Sequence, residues 1–214
     1  MGRGEVGVGH QYRLLPSLIE ARRRLASGAI GTIRLVTASL ARPWLASQSE
    51  GGGEGSWRFD PKVAGGGILT DAGDHLLDAL LWTTGKAAVE VAAFQDRLES
   101  GLDLVTAAAV RLADGVPATV ALSGVSADEL FEMTYFGDRG RLRVTDRALG
   151  EESDDAISWA PPAPDPAEGI DANFAAAILA GAPLCCPADQ ALETVRLVEA
   201  ITRSATTGQV VRLA

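Results

Sequence analysis

The stretch "GGGILTDAGDHLLDALLWTTG", Gly65 to Gly85, decides how this chain is read. It opens with three glycines and runs on as an apolar helix, expected from about Ile68 to Thr84. His75, one of two histidines in the chain, lies four residues after Asp71. On a helix that spacing puts both on one face, and Asp78 and Trp82 continue the stripe. Two readings stay open. One is a surface face with a histidine held by a carboxylate. The other is a general acid/base, because an unperturbed imidazole titrates near pH 6.5 and a carboxylate one turn earlier can orient it. Gly65, Gly66 and Gly67 strip side chains from the entry to the helix. The N–H groups and partial positive charge there can receive a polar ligand, or the glycines can simply form a loop. A metal site would need a third ligand from His10 or Asp74, and none is expected.

Outward from this stretch, residues 13 to 27 read as a helix on Leu14, Leu15, Leu18, Ile19, Arg22 and Leu25, stopped by Gly28. Thr32 to Leu40 alternates and is rich in β-branched residues, so it reads as a strand. After Gly85 come short alternating runs separated by turn signals such as "ADGVP" and "GDRG", the pattern of antiparallel hairpins. A proline-rich loop, "APPAPDPAEG", precedes two helices, about Ile170 to Ala180 and Pro187 to Thr206, the second with Leu192, Val195, Val198 and Ile201 on one face. "QVVRL" closes the chain as a short strand. The fold class is α+β: an open, mainly antiparallel β-sheet with helices on one face. Strands such as "LVTAAAV" are apolar at both parities, so the other sheet face is expected to pair in a homo-oligomer.

Composition sets limits. The chain has 214 residues and 47% apolar residues, enough for a sizeable core. A net charge of −9 argues against nucleic acid. No apolar run suits a membrane span and no signal peptide is evident, so a cytoplasmic protein is expected. Lys62 and Lys86 are the only lysines. Cys185 and Cys186 are adjacent, which strains a disulfide, and they read as small buried residues. A literal Gly-x-Gly-x-x-Gly at Gly2, Gly4 and Gly7 has no strand before it and no helix opening at its end, so it reads as chance.

Taken with "WRFDP" (Trp57 to Pro61), the glycine-led stretch resembles the Gfo/Idh/MocA oxidoreductases, and so do "VGHQYRLLPSLIEARRRLASGAIGTIRLV", "FEMTYFGDRGRLRV" and the closing helices. The resemblance covers nearly the whole chain from about Val8. It implies a two-domain enzyme in which a Rossmann domain binds NAD or NADP and an α+β domain supplies the substrate wall and the oligomer sheet. On that match residues 1–12 are the remnant of the last strand and linker of the Rossmann domain, and residues 13–214 are the C-terminal domain. His75 would exchange the proton of a sugar or polyol hydroxyl, and Asp71 would orient it. Trp57, Arg58, Gly66 and Gly67 would line the substrate pocket, and Tyr12 and Arg13 would sit where the linking segment passes the cofactor. The family's dinucleotide domain and its Glu-Lys-Pro lysine have no counterpart here, so the resemblance implies half of an active site. Two other functions are kept: a free-standing sugar-binding or oligomerising module without redox chemistry, and a metal- or base-dependent lyase or hydrolase on the same scaffold.

Overall fold

The computed structural model describes residues 6–47, 57–146, 148–153, 156–160 and 169–213. Gly2 and Gly4 of the glycine pattern, most of the loop before Trp57, and residues 161–168 of the proline-rich loop lie outside them.

Among the described residues nine strands form one sheet: β1 (Ile33–Ala41), β2 (Ala88–Asp96), β3 (Val105–Leu112), β4 (Pro117–Ser123), β5 (Leu130–Gly137), β6 (Arg141–Thr145), β7 (Leu149–Ser153), β8 (Ala156–Ala160) and β9 (Val211–Arg212). Their spatial order is β8-β7-β6-β5-β1-β4-β3-β2-β9. β2 to β4 and β5 to β8 meet as antiparallel hairpins, as their turn residues predict, whereas β4 and β5 do not pair: β1 lies between them, antiparallel to β5. The exception is β1 with β4, which run parallel with Val36 opposite Ala118. Parallel neighbours need a crossover, and here the crossover carries the glycine-led helix across the sheet.

The strands bury one face. Val36, Ala38 and Leu40 of β1, Val110 of β3 and Val120 and Leu122 of β4 point into the core. The alternate residues, including Ala107, Ala109, Thr119 and Ala121, face outward, and Phe94 is 80% exposed. This is the period-2 pattern of a sheet covered on one side.

Helices α1 (Pro16–Ala26), α2 (Asp74–Thr84) and α4 (Ala188–Thr207) cover the buried face, and α3 (Ile170–Ala180) lies near the start of the chain. Leu76, Leu77 and Leu80 of α2 are fully buried, each contributing about 1.5–3 kcal/mol. Two predicted helix faces shift. Pro16 stands at the first position of α1, and Ser17, Leu18 and Ala21 face inward while Ile19 is exposed. The Ser17 hydroxyl donates to the Thr145 carbonyl at 2.8 Å, which fixes this rotation. In α4 the core face is Ala191, Thr194, Leu197, Ala200, Ile201 and Ser204, leaving Leu192 and Val195 about half exposed. Small residues win that face because they let the helix approach β2. The Ser204 hydroxyl accepts from the Ala93 N–H at 3.0 Å and donates to the Gln209 carbonyl at 2.7 Å.

Candidate functional site

The glycine string does not leave the helix entrance free. Asp103, buried in the turn between β2 and β3, accepts from the Gly67 N–H at 2.6 Å and the Leu69 N–H at 2.8 Å, and its carbonyl accepts from the Ile68 N–H. A carboxylate here satisfies the orphan donors and complements the positive helix end. It also explains the glycines. A Cβ on Gly67 would stand 2.3 Å from the Asp103 carbonyl oxygen, and one on Gly66 would stand 2.1 Å from the Thr70 hydroxyl. The reading that these N–H groups await a ligand is therefore corrected: close approach to Asp103 accounts for the small residues, and Asp103 takes the N–H groups.

The helix opens with a π turn over Leu69–Gly73 before settling into α2. Asp71 and His75 stay about one turn apart. No hydrogen bond joins them. Asp71 is exposed and accepts from the Trp44 indole N–H at 2.5 Å, with the Arg58 Nε 3.8 Å from its other oxygen. The expectation that Asp71 directly orients His75 has no hydrogen bond to carry it here, because Asp71 is engaged by Trp44 and Arg58. Instead Asp71 lines a cavity of about 90 Å³ with Trp44, Trp57, Arg58, Gly66 and Gly67. Four expected pocket residues thus gather around one of the two expected catalytic ones. Trp57 is 55% exposed, and the Arg58 guanidinium stacks 4.6 Å from its ring.

One turn further on, Asp78 is wholly buried and fully engaged. Arg13 donates to it through Nε at 2.8 Å and Nη2 at 2.7 Å, His10 Nδ1 lies 2.9 Å away, and the Thr194 hydroxyl donates at 3.3 Å. Arg13 Nη1 also donates to the Cys185 carbonyl and to Gln190. Burial alone would raise the Asp78 pKa, but the Arg13 and His10 hydrogen bonds hold it below the usual carboxylate range. Burial would likewise lower His10, yet its hydrogen bonds to Asp74 and Asp78 raise it to about 11. His10 is therefore an imidazolium at neutral pH. His10, Asp78 and Cys186 bring ligand-type atoms within 4.8 Å of one another, but Arg13 already occupies both Asp78 oxygens. Arg13, expected beside the cofactor, is 3% exposed with all three donor nitrogens committed inside the protein. It clamps the N-terminal segment to α2 and α4, and that corrects the expectation.

His75 sits between these two groups. Its ring lies 5.1 Å from the Tyr12 ring and edge-on to His10 at 5.5 Å. The Tyr12 hydroxyl accepts from Arg42 at 2.5 Å, and its ring meets Phe131. His75 Nε2 is 3.8 Å from Asp74 Oδ1, too long for a hydrogen bond. His75 Nδ1, Asp74 Oδ1 and Arg58 Nε are buried with no hydrogen-bond partner. Burial, aided by the His10 charge and opposed by Asp74, lowers the His75 pKa. The ring is neutral at pH 7 and able to accept a proton.

Sequence reasoning found His75, Asp71, Trp57, Arg58 and Tyr12 in this region. It missed Asp103 and Trp44, and took Asp78 only as part of a stripe. A lone acid between leucines in "GLDLV" was the available signal for Asp103.

The GFO/IDH/MocA C-terminal domain model matches residues 18–143, more than half of the chain. Levoglucosan dehydrogenase of Pseudarthrobacter phenanthrenivorans is 30% identical over 79 residues, 37% of this chain and 20% of that protein. Among solved structures, the aldose-aldose oxidoreductase from Caulobacter crescentus complexed with glycerol is similar with a TM-score of 0.83 at 23% identity, covering 98% of this chain and 64% of that one. An inositol dehydrogenase homolog from Azotobacter vinelandii complexed with NAD+ gives 0.83 at 22% identity, covering 98% and 65%. The chain thus spans 64–65% of these two structures and a fifth of the curated relative. Among the described residues there is no doubly wound parallel sheet, and no helix is long and apolar enough to cross a membrane. With the glycine-led helix, the one-sided sheet and the match over residues 18–143 in hand, the chain belongs to the Gfo/Idh/MocA family, as its C-terminal domain.

Proposed function

We propose that this chain is the substrate-binding and sheet-pairing part of an NAD(P)-dependent dehydrogenase acting on a hydroxyl of a sugar or polyol. The observation that carries the reading is the unsatisfied cluster on the helix. Buried polar atoms are rarely left without partners, and here His75 Nδ1 and Asp74 Oδ1, with Arg58 Nε at the wall of the cavity, all lack a hydrogen bond. The names of the relatives, an aldose oxidoreductase with glycerol and an inositol dehydrogenase homolog with NAD+, support the substrate and cofactor classes.

In this reading His75 takes the proton of the reacting hydroxyl at Nε2. Its lowered pKa keeps it in the accepting form near neutrality. Asp71, braced by Trp44 and Arg58, holds a neighbouring hydroxyl instead of the histidine. The exposed Trp57 ring offers an apolar plate to the C–H face of a sugar. The nicotinamide, when bound, supplies the hydride acceptor. Tyr12, half-buried beside His75, fits a place next to the reacting ring. Arg13 does not fit a cofactor contact, because its donors are spent on Asp78, Cys185 and Gln190. The outward sheet face, small-sided at Ala107, Ala109 and Ala121 with Phe94 standing out, suits pairing with a second copy.

The test joins the chain to a dinucleotide-binding domain and follows reduced cofactor by its ultraviolet absorbance across a panel of aldoses and polyols. His75→Ala should lower turnover by about 10²–10⁴-fold with NAD(P) affinity unchanged. Turnover that ignores His75, or a product that forms without nicotinamide, would overturn the reading.

A further inference from the structure

We propose that His10 is a positioning residue for His75: wedged between Asp74 and Asp78, it holds Asp74 beside the His75 ring and keeps that ring uncharged at neutral pH. The inference rests on the role given to His75 above and supplies the part that sets its protonation.

Asp74 is the shared group. Its Oδ2 lies 3.5 Å from His10 Nε2 and its Oδ1 lies 3.8 Å from His75 Nε2. On its other side His10 meets Asp78 at 2.9 Å and the Cys186 thiol at 3.5 Å. Arg13, Asp78, His10 and Asp74 therefore form a row of alternating charge that ends at His75. A buried imidazole with a carboxylate on either side carries a proton. A second cation beside it is then disfavoured. At a ring separation of 5.5 Å the repulsion acts in the same sense as burial, the larger cause, and lowers the His75 midpoint.

Asp74 acts in the opposite sense, favouring the charged form of His75. Without His10, its carboxylate would be free to pair with His75 alone and hold it protonated. The titratable groups facing His75 are His10 and Tyr12 from the N-terminal segment, and Asp71, Asp74 and Asp78 from its own helix. The directions agree: His10 stands near 11 and His75 below its ordinary value.

The experiment is a proton NMR titration of the untagged chain. Two histidines give two imidazole signals, and His75→Gln assigns them. In the unmodified chain His75 should titrate below pH 6.5, and His10 should not titrate in the neutral range. His10→Gln should raise the His75 midpoint by about one pH unit or more, whereas Asp74→Asn should lower it. Both variants break the same His10–Asp74 contact. Mere loosening of structure would move His75 toward its ordinary value in both, so opposite signs are the signature. Any other pair of shifts overturns the proposal. The titration needs no cofactor or substrate, so its failure is distinguishable from failure of the dehydrogenase assay.

Discussion

Around Asp78 each donor meets the carboxylate, while one turn earlier His75 and Asp74 each carry a buried atom with no partner. The two sites share one helix, one burial gradient and one residue chemistry. They differ in how completely their hydrogen bonds close. Asp78 is closed because Arg13 and His10 from the N-terminal segment and Thr194 from α4 converge on it. The His75 end is open because its neighbours are rings and a bifurcated carboxylate. A closed polar network holds a fold together. An open one keeps capacity for another molecule, at a cost of about 1–3 kcal/mol for each unsatisfied buried group.

The comparison breaks first at Asp78. Asp78→Asn leaves Arg13 and His10 as buried cations with half a partner, and should cost about 3–5 kcal/mol in chemical denaturation. A cost under about 1 kcal/mol would mean the network reconnects and is not closed in the sense used here. A second effect appears on the alkaline side. His10 is raised from 6.5 to about 11, so its contribution is fully present below pH 6.5 and fades as pH climbs through 11. Asp78 is depressed, so its contribution is present above the ordinary carboxylate range and fades as acid protonates it. Denaturation midpoints taken across pH 6 to 11 should fall steadily, and His10→Gln should flatten that limb. An unchanged slope would contradict the imidazolium.

Asp103→Ala should cost about 1–3 kcal/mol by orphaning the Gly67 and Leu69 N–H groups. A Gly67→Ala change should hurt as well, since the added methyl meets Asp103 backbone. The smallest effect is expected at the open end. His75→Gln should alter stability by less than about 1 kcal/mol, despite the large loss of turnover expected from His75→Ala. A large stability loss at His75 would move it to the structural side of the comparison.

The sequence carried the elements well where periodicity was strong. The helix after the glycines, the one-sided sheet and the hairpins after Gly85 follow from spacing and turn residues alone, except that β4 and β5, also read as a hairpin, are parted by β1. It carried rotation poorly. In α4 the larger apolar residues Leu192 and Val195 suggested the wrong face, because close helix–sheet approach favours alanine, threonine and serine there. The π turn left no mark, since "LTDAG" reads the same in either helix. The polar partners of Asp78 and Gly67 lie 65 and 36 residues away in the chain. Contacts of that range are set by the packed fold, and local pattern does not encode them.

The parallel pairing of β1 with β4 bears on how the chain is made. β1 precedes both its sheet neighbours, β4 and β5, by more than 70 residues of chain. Val36 must wait for Ala118 and Tyr135 before its backbone is bonded on both sides. Until then an apolar strand leaves the ribosome with two free edges, a state prone to association with other nascent chains. Pairing over that distance also gives the domain long-range contacts that slow folding. The strand at the middle of the finished sheet is thus the one that waits longest for its first neighbour.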